Sequence, residues 1–147
     1  MQICYKSILA LSLAMLLSTS CLADVNGAES PEKLKEMLQD VYTSKDQNML
    51  KRLYLSRGDE QQINAVAFLI SQDFSKSVKS IEWKESNNHG PGSYTGQGGV
   101  VHTYCPGPVG GGSITVNYSD DDGHKVIPAV FWYGQENGRY YLVTTCS

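Results

Sequence analysis

Apolar residues recur at helical spacing through the first half of the chain and at strand spacing through the second. Leu34, Met37, Leu38 and Val41 fall at i, i+3, i+4 and i+7, which places one apolar stripe on a helix over about 31–44. Ser30 can cap that helix, and Pro31 at its first position sacrifices no hydrogen bond. A second start follows at Asp46, with Met49, Leu50, Leu53 and Tyr54 on one side of a short helix reaching about Leu55. Ser56-Arg57-Gly58 breaks it. Asp59 then caps a third helix, in which Ile63, Val66, Ala67, Ile70 and Phe74 keep the spacing to about Lys76. Seven acidic and seven basic residues lie between 30 and 76, the mixture of a solvated outer face.

From residue 77 the period becomes two. The predicted strands are Val78–Glu85, Val100–Cys105, Ser113–Tyr118, Lys125–Gly134 and Arg139–Cys146. Asn137-Gly138 is a favoured two-residue hairpin turn, so the last three strands are expected to form an antiparallel meander. Pro128 removes a ladder donor and predicts a bulge or an edge near it. Nine of the 14 glycines fall between Gly90 and Gly112, marking two loops, Asn87–Gly99 and Pro106–Gly112, around the strand at 100–105.

The first 23 residues read differently. Lys6 and the amino terminus give a positive start, and Ile8–Leu17 is an apolar run of ten, long enough for a signal sequence and too short to span a bilayer. Cys21-Leu22-Ala23 puts small residues at −3 and −1 before Asp24. The expectation is a cleaved signal peptide at 1–23, a flexible lead at 24–29 and a single domain at 30–147, periplasmic or extracellular. Leu17–Cys21 is also similar to a lipoprotein cleavage site, with Ser18 where that site takes an aliphatic residue; a lipid anchor on Cys21 is the alternative. No other run reaches the length of a transmembrane span.

Loss of residues 1–23 leaves 11 basic and 15 acidic residues, net −4 with histidine neutral. This balance argues against nucleic acid or an anionic membrane as the principal partner, because both are held by basic patches. Cys4 and Cys21 would leave with the signal. Cys105 and Cys146 remain and are expected to form a disulfide in an oxidising compartment. Two free thiols or a metal pair is the competing reading, and no second pair of ligands lies near them in sequence.

Few constellations carry chemistry. Gly90, Gly92 and Gly96 miss the dinucleotide spacing, and the chain enters a strand rather than a helix, so no phosphate loop is expected. Asp120-Asp121-Asp122-Gly123 lacks the first carboxylate and final glutamate of a calcium loop and reads as a solvated turn. His89, His102 and His124 form neither HxH nor HExxH, and no metal or cofactor is implied. His102 shares a strand side with Val100 and Tyr104 and could act as a general base beside Tyr104; a satisfied or surface histidine is the plainer account. Trp83, Tyr94, His102, Tyr104 and Trp132 are the candidate ligand-binding residues, since aromatics with polar tips suit a cavity mouth as well as sheet packing.

The opening SPEKLKEMLQDVYTSKDQNMLKRLYL and the closing ENGRYYLVTTC resemble the entry and final strand of the NTF2-like (cystatin-like) family, in its small exported bacterial members. The resemblance implies an α+β fold with N-terminal helices on a curved antiparallel sheet of four or five strands, shaped as a cone with a pocket. It implies no single activity, because the family includes isomerases, dehydratases and noncatalytic domains. The glycine-rich loops and the cysteine pair depart from the plain pattern. The expected function is a noncatalytic binding or accessory domain for a small apolar ligand, a peptide or an envelope protein, through the concave sheet face and the 87–112 loops. One alternative is an isomerase- or dehydratase-type enzyme using His102 and Tyr104. Another is a structural or inhibitory partner protein.

Overall fold

A computed structural model describes residues 27–86, 93–107, 111–120 and 124–146. The signal segment, Cys21, His89 and most of the triple-aspartate turn lie outside the described residues.

Three capped helices open the domain. Helix α1 runs Pro31–Ser44, α2 Gln47–Lys51 and α3 Glu60–Ser71, which tightens into a 3-10 turn at Gln72–Ser75. Each expected cap is made by a side-chain oxygen. Ser30 Oγ accepts from the Lys33 N–H at 3.1 Å, Asp46 from Asn48 and Met49, and Asp59 from Gln62 at 3.0 Å. These bonds satisfy amide groups that no helical carbonyl can reach. The α1 stripe is buried as its spacing requires, with Leu34, Leu38 and Val41 fully enclosed. Helix α2 is shorter than expected; Leu53 and Tyr54 are buried from the turn that follows it.

The strands are β1 Val78–Glu85, β2 Ser93–Thr95, β3 Val101–Cys105, β4 Gly112–Tyr118, β5 Ala129–Glu136, β6 Arg139–Leu142 and β7 Thr144–Thr145. They make two antiparallel sheets, β1-β4-β5-β6 and β2-β3-β7. The fold is thus α+β, with the helices on the inner face of the four-stranded sheet. That face presents Ile114, Val116, Tyr118, Phe131, Tyr133 and Leu142 to Leu34, Leu38, Val41, Leu50 and Leu53 in one core. Gly112 is required at the close approach of β1, β4 and β5: a Cβ there would lie 2.0 Å from the Lys84 carbonyl oxygen and 2.4 Å from Tyr133 Oη.

Several expectations need correction. The strand at 125–134 begins only at Ala129, because Pro128 has no N–H to give the ladder. The return strand 139–146 divides at Val143, whose N–H donates to the Trp132 carbonyl while the next two residues pair with β3. The strand at 100–105 starts at Val101 and belongs to the second sheet, where its other neighbour is β2, a short strand inside the expected 87–99 loop. The flexible lead is pinned at its end: Ala28 is buried and exchanges two 2.9 Å hydrogen bonds with Tyr140. Asn137 and Gly138, both at positive φ, form the expected hairpin turn between β5 and β6.

Cys105 and Cys146 form the expected disulfide, with Cα atoms 5.3 Å apart. It sits in a small cluster with Leu55 and Tyr141. The chain around it is stitched to the α2–α3 connection, where Leu142 N–H donates to Leu53 and Asp59 N–H to Thr145, and to β3, where Cys146 N–H donates to Thr103. Arg57 adds a two-pronged ion pair to Glu136.

Candidate functional site

The five aromatic and histidine candidates do not form one site. Tyr94 lies directly opposite His102 across β2 and β3, and Tyr104 follows His102 on the same side. The Tyr94 and His102 rings stack at 5.0 Å, and Tyr94 lies 5.5 Å from Tyr104. These three rings therefore pack on one another. Among the described residues no carboxylate lies within hydrogen-bond reach of His102, so the acid/base pair lacks the group that would orient it. Trp83 pairs with Ile114 and packs half-buried against the main core. Trp132 pairs with Ser113 on the opposite face of that sheet and is 51% exposed.

The concave side of the sheet, where the resemblance placed a pocket, is filled at its centre by Tyr133, Leu34, Leu38 and Ile114. The open space lies at one end instead. A cleft of about 620 Å³ runs between the last turn of α1, the 3-10 turn and the start of β1. Tyr42, Phe74, Val78 and Ile81 supply its apolar wall, and Lys45, Lys76 and Lys79 its charged groups; no Asp or Glu lines it. That segregation stands out in a chain with 12 basic and 15 acidic residues.

Two backbone irregularities shape this cleft, and each carries a lysine. Helix α1 ends with Lys45 in the left-handed region, at φ 56°, its N–H returning to the Val41 carbonyl. Glycine is the usual residue there because a Cβ crowds the backbone. In β1 the register with β4 slips between Val78 and Ser80, so Lys79 bulges from the ladder without a partner opposite. A bulge of this kind re-aims the side chains around it. Lys45→Gly is expected to raise stability by roughly 0.5–1 kcal/mol through relief of the left-handed strain, read as a higher urea midpoint. A lowered midpoint would show instead that the lysine side chain holds the turn.

Behind the wall runs a polar chain. The Tyr42 and Tyr118 hydroxyls are 2.8 Å apart, and Tyr118 donates to Asp73 at 3.3 Å. Lys76 pairs with Asp73 at 2.6 Å and lies 5.0 Å over the Tyr118 ring. Burial, then the bond to Tyr118, holds the Tyr42 phenol far above its ordinary pKa, and burial pushes Tyr118 up to about 12. Both phenols stay neutral at physiological pH, and the carboxylate is paired. The group makes a rigid wall with hydrogen-bonding edges and offers no activated nucleophile. Among the described residues no cluster of three or more His, Cys, Asp or Glu could hold a metal ion.

The sequence reading missed this cleft. Its one linear signal is Phe74–Ile81, where lysines and serines separate Phe74, Val78 and Ile81 and no acid interrupts. Those lysines had the appearance of ordinary surface charge.

Comparison with known proteins adds little to the geometry. No protein-family model matches the chain, and no curated protein matches it. Among solved structures, a designed NTF2-like protein (Rd1NTF2_05 with further substitutions) is similar over 78% of this chain and 94% of its own, at 11% identity and a TM-score of 0.38. A likeness this distant assigns no activity.

Proposed function

We propose that this chain is an exported, noncatalytic binding domain whose small-molecule ligand sits in the cleft between α1, the 3-10 turn and β1. The observation that carries the reading is the cleft itself. Its volume of about 620 Å³ falls in the range of small-ligand sites, and its lining sets the apolar edges of Tyr42, Phe74, Val78 and Ile81 among lysine, serine, threonine and glutamine side chains that can fix orientation. The paired tyrosines and the Lys76–Asp73 ion pair keep that wall in place when the cleft is empty. Export is supported by the pattern of residues 1–23 and by the Cys105–Cys146 bridge, a bond that persists in oxidising compartments. Among the described residues no helix is long and apolar enough to cross a membrane.

A neutral fluorescent probe, N-phenyl-1-naphthylamine, tests the reading. It is expected to bind saturably at one site per chain. Thr43→Trp, at an exposed position on the cleft rim, should weaken it by about tenfold or more. Phe68→Ser, on an exposed face of α3, should leave binding unchanged. Unsaturable binding, or equal affinity in Thr43→Trp, would overturn the assignment.

A further inference from the structure

On the reading that the cleft is the ligand site, we infer that its ligand is a small amphipathic anion: an apolar body against Tyr42, Phe74, Val78 and Ile81, with one carboxylate or phosphate group held by Lys45 and Lys79.

Of the three lysines that line the cleft, Lys76 is committed to Asp73. Lys45 and Lys79 have no ion pair among the described residues. On α1 Lys33 has Glu36 as its partner, whereas no Asp or Glu lines the cleft to pair with Lys45 or Lys79. Two unpaired ammonium groups beside an acid-free cleft make a local positive potential on an acidic chain.

Backbone geometry points the same way. Each unpaired lysine sits at a position a regular element would not provide, one in the left-handed turn after α1 and one in the β1 bulge. Lys45, a non-glycine residue at positive φ, holds a strained position of the kind that clusters at functional sites, and the bulge re-aims the side chains beside Lys79. The turn and the bulge come from segments more than thirty residues apart in sequence, yet both deliver a lysine to the same cleft.

The apolar wall decides the rest of the ligand. Val78 is 38% exposed at the start of β1, and Tyr42 and Phe74 show the cleft only an edge of otherwise buried rings. A fully hydrophilic anion would leave that surface uncovered. A bilayer is a poor fit, since the lysines stand at a concave site and the chain as a whole carries net negative charge, which opposes an anionic surface. The ligand is therefore a monomeric amphiphile.

Competition against N-phenyl-1-naphthylamine by decanoate, decyl phosphate and decanol, each below its aggregation threshold, tests this on the intact chain. Both anions are expected to bind about tenfold or more tightly than decanol, because bonds to charged groups outweigh neutral ones. Raising the salt concentration should narrow the gap through screening. The double variant Lys45→Gln/Lys79→Gln should bring the anions to the level of decanol while leaving decanol itself, the far-UV spectrum and the melting temperature unchanged.

The outcomes separate the two claims. Equal affinity for anions and alcohol overturns the anion assignment and leaves the cleft standing. Failure of all three to displace the probe, or displacement unaffected by Thr43→Trp, overturns the cleft itself. Co-sedimentation with phosphatidylglycerol vesicles in the absence of monomer competition overturns the monomeric ligand in favour of a membrane surface. Lysine variants that keep the anion preference overturn the role of Lys45 and Lys79.

Discussion

Replacing Cys105 and Cys146 together by alanine is expected to cost about 3–4 kcal/mol of stability. The bridge joins residues 41 apart in sequence, so its removal frees a long loop in the denatured chain, and the entropy regained there destabilises the native state. The folded side loses too, because the fully buried Cys105 packs with Leu55 and Tyr141. For a domain of this size the change lowers the melting temperature by about 10–20 °C. The urea m-value should rise with it, since the uncrosslinked denatured chain exposes more surface. A loss under about 1 kcal/mol would show that the β3–β7 pairing and the Arg57–Glu136 contact hold this end of the fold unaided.

Stability should also collapse in alkali. Burial holds the phenols of Tyr42, Tyr54, Tyr118 and Tyr133 above the ordinary value near 10, to about 12 for Tyr118 and Tyr133. In the unfolded chain the same phenols ionise at about pH 10. Above that pH the unfolded state has already released protons that the native state retains, so the native state becomes less favoured as pH rises. The stabilisation is complete below about pH 10 and is lost through about pH 12 and beyond. Each such phenol contributes a slope of about 1.4 kcal/mol per pH unit in that window. With four of them acting, urea midpoints should be flat with respect to these groups at neutral pH and fall steeply above about pH 10. Tyrosinate absorbance and loss of far-UV circular dichroism should rise together. Tyr42→Phe should make the decline shallower by about one phenol's slope. An unchanged slope would show that Tyr42 reaches solvent before the fold opens.

Local rules made the helices readable. Ser30, Asp46 and Asp59 announce their caps, and the spacing of Leu34, Leu38 and Val41 states which side of α1 is buried. The β4–β5–β6 meander was legible for the same reason: alternation and the Asn137-Gly138 turn act between neighbours in sequence. The second sheet was not. Residues 93–95 sit in a glycine-rich run with no alternation to read, and their partner β3 lies across a loop. Arg139–Cys146 looks like one strand, and only contacts with Trp132, Thr103 and Leu53 divide it at Val143. The cleft was hidden in the same way. Its two sides come from residues 39–45 and 74–81, and what gives it chemistry is a turn and a bulge rather than a motif. Conversely, the ring cluster of Tyr94, His102 and Tyr104 was singled out for its residue types, which say nothing of whether the rings face one another or a ligand.

The change of sheet at Val143 also governs the order in which this chain can fold. Leu142 completes the four-stranded sheet, and Thr144 and Thr145 complete the three-stranded one. Neither layer is finished until residues 139–145 are present: β6 folds back on β5 through a two-residue turn, whereas Thr144 and Thr145 must find Cys105 and Tyr104 far back along the chain. Fragments that stop short of Leu142 therefore lack an edge strand of the main sheet, one partner of β3 and the bridge. Non-local closure of this kind is slow, because the entropy of large loops is lost before the contacts that offset it form. A chain with this topology cannot close its second sheet or its bridge until its last strand arrives.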